Sequence, residues 1–154
     1  MRIQPKHVKV GDVAEVKIGD KLAYVQYADK HKLYGEMILV SPCLHETRPL
    51  IGGKVFDKAY FAFYPISAAV AQGLIHAVDN MPVPRKLPER FKRALRRSGR
   101  RVESWVIEGA GREVIKTSLS DDEVDLPIVA IWNHEMLIHR IVEGWTPANP
   151  VKRS

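Results

Sequence analysis

The sequence predicts an α+β fold, an antiparallel β-sheet or partly closed barrel with a few short helices, in one domain of 154 residues. Three observations carry that prediction. Short β-rich runs fill residues 13–63, a glycine turn at Gly109-Ala110-Gly111 joins two more, and a β-branched run at 126–133 feeds a helix with a signal at each end.

Residues 13–18, 22–27, 34–40 and 55–63 are rich in Val, Ile, Tyr and Phe and are separated by turn-forming residues, so each reads as a strand. In the first, Val13, Glu15 and Lys17 alternate with Ala14, Val16 and Ile18, which predicts one wet face. Ser67 is an N-cap candidate for a helix over 68–72 that stops at Gly73, before a strand over 74–78. Pro82, Pro84 and Pro88 predict an extended connector, and a second helix is expected from Pro88, with Phe91, Ala94 and Leu95 inward. Residues 102–108 and 112–119 flank the glycine turn as a hairpin, with Trp105 and Ile107 on its buried face. Ser120-Asp121-Asp122-Glu123 matches a capping box, and Pro127 limits that helix to a turn or so. Residues 128–132 read as a strand, Asn133 as the cap of the helix that follows, and Gly144 as the left-handed residue that stops it and folds Trp145 back toward Ile141. Residues 146–154 are expected to form a flexible tail.

A composition of 45% hydrophobic and 27% charged residues is that of an ordinary globular domain. No apolar run approaches the roughly 20 residues that span a bilayer, and Met1-Arg2-Ile3-Gln4-Pro5-Lys6 leads into no apolar segment, so a cytoplasmic location is expected. Cys43, the single cysteine, has no internal disulfide partner and reads as a small apolar residue.

The net charge of +6 is concentrated. Residues 85–101 hold nine Lys or Arg against Glu89 alone, which leaves the rest of the chain slightly acidic. On a helix from Pro88, Arg90, Arg93 and Arg97 share one face with Arg96 and Arg100 beside it, and these five are the candidate partner-binding residues. Three readings stay open: a solvated or internally paired cationic face, a surface for an acidic protein, or a phosphate-binding surface for nucleic acid. Phe91 is the one aromatic residue among these arginines, a poor platform for stacking single strands.

No motif supplies catalytic chemistry, a cofactor site or a metal site. His134 and His139 are five apart, about 140° around a helix, whereas a zinc-protease helix places its two histidines four apart on one face. Glu135 and His139 read instead as an exposed i,i+4 pair. Cys43 and His45 sit in a loop with no orienting group between them, and Gly52-Gly53-Lys54 and Gly109-Ala110-Gly111-Arg112 are too short for phosphate loops. Asp121, Asp122, Glu123 and Asp125 lack calcium-loop spacing and fit a helix N-terminus.

The order of dispersed motifs adds a resemblance. Val10-Gly11-Asp12-Val13, Tyr34-Gly35-Glu36, Phe63-Tyr64-Pro65-Ile66, Ala69-Val70, Gly73-Leu74-Ile75, Trp105-Val106-Ile107, Leu126-Pro127-Ile128, Trp132-Asn133, Arg140-Ile141 and Gly144-Trp145 follow one another across residues 8–145. Read in that order, the chain resembles the immunity protein 26 family of bacterial polymorphic-toxin systems. The resemblance implies a small cytoplasmic α+β protein, not an enzyme, that binds a cognate toxin domain and blocks it. It carries over no catalytic residues. Immunity proteins that cover basic nucleases are expected to be acidic, whereas residues 85–101 are basic; the toxin then presents an acidic surface, or contact lies elsewhere, or the role differs.

Overall fold

A computed structural model describes residues 7–99 and 101–149. It is an α+β fold of two antiparallel sheets and three helices. Strands β1 (Asp12–Ile18), β2 (Lys21–His31), β3 (Gly35–Val40), β4 (Tyr60–Phe63) and β5 (His76–Asn80) form the first sheet in the order β4-β3-β2-β1-β5. Helix α1 (Ile66–Ala71) lies between β4 and β5. The second sheet, β6-β7-β8, is built from β6 (Arg90–Ser98), β7 (Arg101–Gly109) and β8 (Arg112–Lys116), and is followed by α2 (Asp121–Val124) and α3 (His134–Glu143).

The first sheet is covered on both faces. On one, Ala14, Val16, Val25, Ile38 and Tyr64 pack with Ile66 of α1, Leu137 and Ile141 of α3, and Trp132 and Trp145. On the other, Val13, Tyr24, Leu39 and Phe63 meet Val55 and Phe56 of a 3₁₀ turn (Gly53–Phe56) and Phe91 of β6. The wet face expected for β1 is therefore dry at Glu15, which is buried under the loop of residues 42–53. Arg48 from that loop donates to Glu15 at 2.7 and 3.2 Å, and the Tyr24 hydroxyl donates to it at 2.9 Å, which satisfies a carboxylate that would be costly to bury alone.

Several expected elements are redrawn. The run at 55–63 splits into the 3₁₀ turn and β4, and the strand expected at 74–78 begins at His76. Helix α1 starts after Pro65, so Ser67 lies inside it. The cap is supplied from another strand: Glu36 of β3 accepts from the Ser67 N–H at 2.9 Å and from its hydroxyl. The helix expected from Pro88 is strand β6, because its backbone pairs with β7 from Arg90↔Gly109 to Ser98↔Arg101. The β7–β8 turn is tighter than three residues: the ladder reaches Gly109↔Arg112, and Ala110 and Gly111 take φ of 52° and 73°.

Residues 126–133 are not a strand but a stitch between the sheets. Lys92 N–H donates to Pro127 and Lys92 C=O accepts from Val129, at 2.9 and 2.8 Å; three residues on, Trp132 N–H donates to Phe63 of β4 at 2.8 Å. The stitch covers the outer edges of β6 and β4, so that among the described residues β5 and β8 are the edges without a further strand or bridge. Helix α3 keeps its expected ends: Asn133 accepts from Met136 N–H at 2.7 Å, and Gly144 takes φ 68°. Trp145 packs beside Ile141 and edge-on to Trp132, ring centroids 5.0 Å apart. Of the expected tail, Pro147 is buried and bonded to Lys92, while residues 150–154 lie outside the described residues.

Candidate functional site

Strand geometry divides the basic segment into two parts of different character. At the start of β6, positive charge is matched internally. Arg90 lies 2.8 Å from Asp122 and 3.7 Å from Glu123, and Arg93 lies 3.4 Å from Glu113 and 4.0 Å from Glu108. Lys92, between them, is buried with its ammonium donating to the carbonyls of Val124 and Pro147 and 4.8 Å from the Trp105 ring centroid. Desolvation pulls its pKa down to about 8, with Asp125 opposing the shift.

Beyond Ala94 the segment changes. Strand β8 pairs only with Trp105–Gly109, so residues 95–98 and 101–104 continue as a two-stranded ribbon past the third strand. Irregular registers at Ala94/Arg96 and Arg96/Arg97 break strict alternation along it. Arg96, Arg97 and Arg101 are exposed here; Arg96 is 3.6 Å from Glu103, and Arg97 and Arg101 have no ion pair among the described residues. Arg100 lies outside the described residues. The helical face expected for Arg90, Arg93 and Arg97 therefore does not exist: Arg90 and Arg93 are used inside the fold, and Arg96 and Arg97 stand at the ribbon tip.

The opposite end of the same sheet carries a feature the sequence did not announce. A cleft of about 460 Å³ opens between the rung Phe91↔Glu108↔Glu113 and the β2–β3 turn, where His31 and Leu33 line it. Glu89 and Arg112 complete its polar lining. His31 Nδ1 accepts from the backbone N–H of Leu33 and Tyr34 at 3.1 and 3.3 Å, which leaves the ring proton on Nε2 in the neutral form. The ring stacks on Tyr34 with centroids 4.7 Å apart, and the Tyr34 hydroxyl donates to Glu108. That hydrogen bond and burial push the Tyr34 pKa up to about 12. These residues come from four strands and a turn, and no spacing in the sequence links them.

The remaining motifs do not assemble. His134 bonds through Nδ1 to the Tyr64 hydroxyl at 3.0 Å, and burial lowers its pKa. His139 pairs with Glu143 at 3.0 Å, not with Glu135 as the sequence suggested. Cys43 is exposed, and His45 sets its ring edge against Tyr24, with no hydrogen bond to Cys43 among the described residues. Ser120 and Glu123 form the capping box, the Ser120 N–H donating to Glu123 at 2.9 Å. Among the described residues no group of three His, Cys, Asp or Glu side chains is placed to hold a metal ion, and no helix is long and apolar enough to cross a membrane. The chain matches no protein-family model, no curated protein and no solved structure.

Proposed function

We propose that this chain is a non-enzymatic, immunity-like binding protein of the bacterial cytoplasm that neutralises a cognate toxin domain by covering it. The observation that carries the reading is the ribbon tip, where Arg97 and Arg101 project past β8 with no ion pair among the described residues, while the arginines at the other end of β6 are neutralised. Unmatched charge on a protruding element steers encounter with an acidic surface. The toxin surface that fits is acidic at the ribbon contact. The test is capture on the tagged protein from native lysate, with and without nuclease. A polypeptide that survives nuclease, whose activity the wild-type protein blocks at equal stoichiometry and the Arg97→Glu/Arg101→Glu variant does not, supports the reading. Capture and inhibition indifferent to the variant remove the ribbon from it.

One observation favours a second reading. A two-stranded ribbon is one of the two elements that enter the major groove of duplex DNA, and arginines at its tip suit phosphates. Binding to a short duplex that falls steeply as salt is raised, and that the same double variant removes, identifies a nucleic-acid module. No duplex binding at low salt eliminates it.

A further inference from the structure

We propose that the cleft between the Phe91–Glu108–Glu113 rung and the β2–β3 turn is a recognition pocket for the guanidinium of an arginine side chain presented by a partner protein. The site lies at the other end of the sheet from the ribbon tip, and neither its argument nor its test depends on the ribbon.

Charge is the first ground. Glu89, Glu108 and Glu113 line the cleft against one lining cation, Arg112, on a protein whose overall charge is +6. Arg93, two rungs along, engages Glu113 Oε1 at 3.4 Å and stands 4.0 Å from Glu108 Oε2, so one cation is shared between the two carboxylates. Glu89 has no ion pair among the described residues.

Shape and polarity select the kind of cation. Glu108 and Glu113 are directly opposed on adjacent strands, which sets their Cβ atoms about 5 Å apart and lets a planar fork of N–H donors reach both. Phe91 and His31 supply aromatic walls, against which a flat, weakly hydrated guanidinium packs better than a compact ammonium. Leu33, 78% exposed at the rim, offers apolar surface to the methylene stem. The receiving groups are also fixed in advance: Tyr34 holds Glu108, and two backbone N–H groups hold His31. Less ordering remains to be done on binding.

The experiment is an amide NMR titration of the full chain at low salt with N-acetyl-arginine-N-methylamide, and in parallel with its neutral citrulline counterpart. The expected result is fast-exchange shifts at Leu33, Gly109, Ala110 and Gly111, with a Kd of about 1–10 mM. Citrulline, or a folded Glu108→Gln/Glu113→Gln variant, should weaken binding about fivefold or more. Arg97→Glu should leave the titration unchanged. No shifts up to about 50 mM arginine derivative, equal binding of citrulline, or shifts centred away from the cleft would each overturn the assignment. Cleft shifts that follow protein concentration alone and vanish in Arg97→Glu would make the occupant a second copy of this chain, which also overturns it.

Discussion

Lys92 Nζ donates to the carbonyl oxygen of Pro147 at 2.8 Å, tying strand β6 to the chain just past α3. The same ammonium donates to Val124, and the Lys92 backbone pairs with Pro127 and Val129, so one residue joins the second sheet to three separate stretches of the C-terminal third. A hydrophobic residue of similar length would fill the space and leave two buried carbonyls without a donor.

Burial sets the sign of its pH dependence. The folded-state pKa is lowered to about 8 from 10.5, so below pH 8 both states hold the proton and the native state bears the cost of a buried charge. As pH rises above 8 the native state releases the proton while the unfolded chain keeps it, and stability increases. Denaturant unfolding of wild type against Lys92→Met should show the difference moving in favour of wild type by about 2 kcal/mol between pH 8 and about 9.5. A flat difference over that range would show that the ammonium is not desolvated.

Glu123 moves stability with pH in the same sense from the opposite cause, a charged form that the fold favours. Its carboxylate accepts from Lys116 at 2.6 Å and from the Ser120 N–H at 2.9 Å, and these donors hold its pKa down near 2. A depressed carboxylate stabilises the fold above its unfolded value and loses that contribution as pH falls toward the folded one. Glu123→Gln should therefore be less stable than wild type at pH 7, with the gap closing between pH 4.5 and 2. Urea midpoints at pH 7, 4 and 2.5 would read this directly.

How far the sequence speaks depends on how local the deciding interactions are. Strands β1 to β3, the glycine hairpin and both ends of α3 were legible because turn residues, Asn133 and Gly144 act on their own neighbours. Residues 90–98 misled for the converse reason: Phe91, Ala94 and Leu95 have helical spacing and their neighbours are good helix formers, yet pairing with β7 overrides that local preference. Lys92 could not be recognised as buried inside a run of cations, since the carbonyls that receive it lie 32 and 55 residues away. The cleft was hidden for the same reason: Phe91, Glu108 and Glu113 become neighbours only through the register of three strands.

The turn that closes the cleft stores a small strain. Ala110 takes φ 52°, where a Cβ is unfavourable, and Ala110→Gly should stabilise the protein by up to about 1 kcal/mol in thermal unfolding. Gly109 is the opposite case: an added Cβ would lie 2.7 Å from Arg90 Cγ and 2.8 Å from the Glu89 carbonyl oxygen. That carbonyl is backbone and cannot step aside, so Gly109→Ala should destabilise the hairpin and pry β7 from the start of β6. A neutral Gly109→Ala would mean that the β6–β7 approach is looser than its register indicates.

The two ends of β6 make a paired prediction about charge. Arg90 stands between Asp122 and Glu123, so Arg90→Glu places three carboxylates together beside the capping box and removes the cation that offsets two of them. Arg97→Glu alters a side chain with no ion pair among the described residues, on a ribbon where like charges at Arg96 and Arg101 already repel it. Surface substitutions away from specific partners usually stay within about 0.5 kcal/mol, so Arg97→Glu should leave the denaturation midpoint nearly unmoved while Arg90→Glu lowers it. Association with an acidic partner should show the reverse order, because steering depends on exposed, unmatched charge and not on charge already consumed by the fold. Equal loss of stability in both variants would mean that the ribbon arginines also serve the fold, and the ribbon would lose its claim to be a surface kept for a partner.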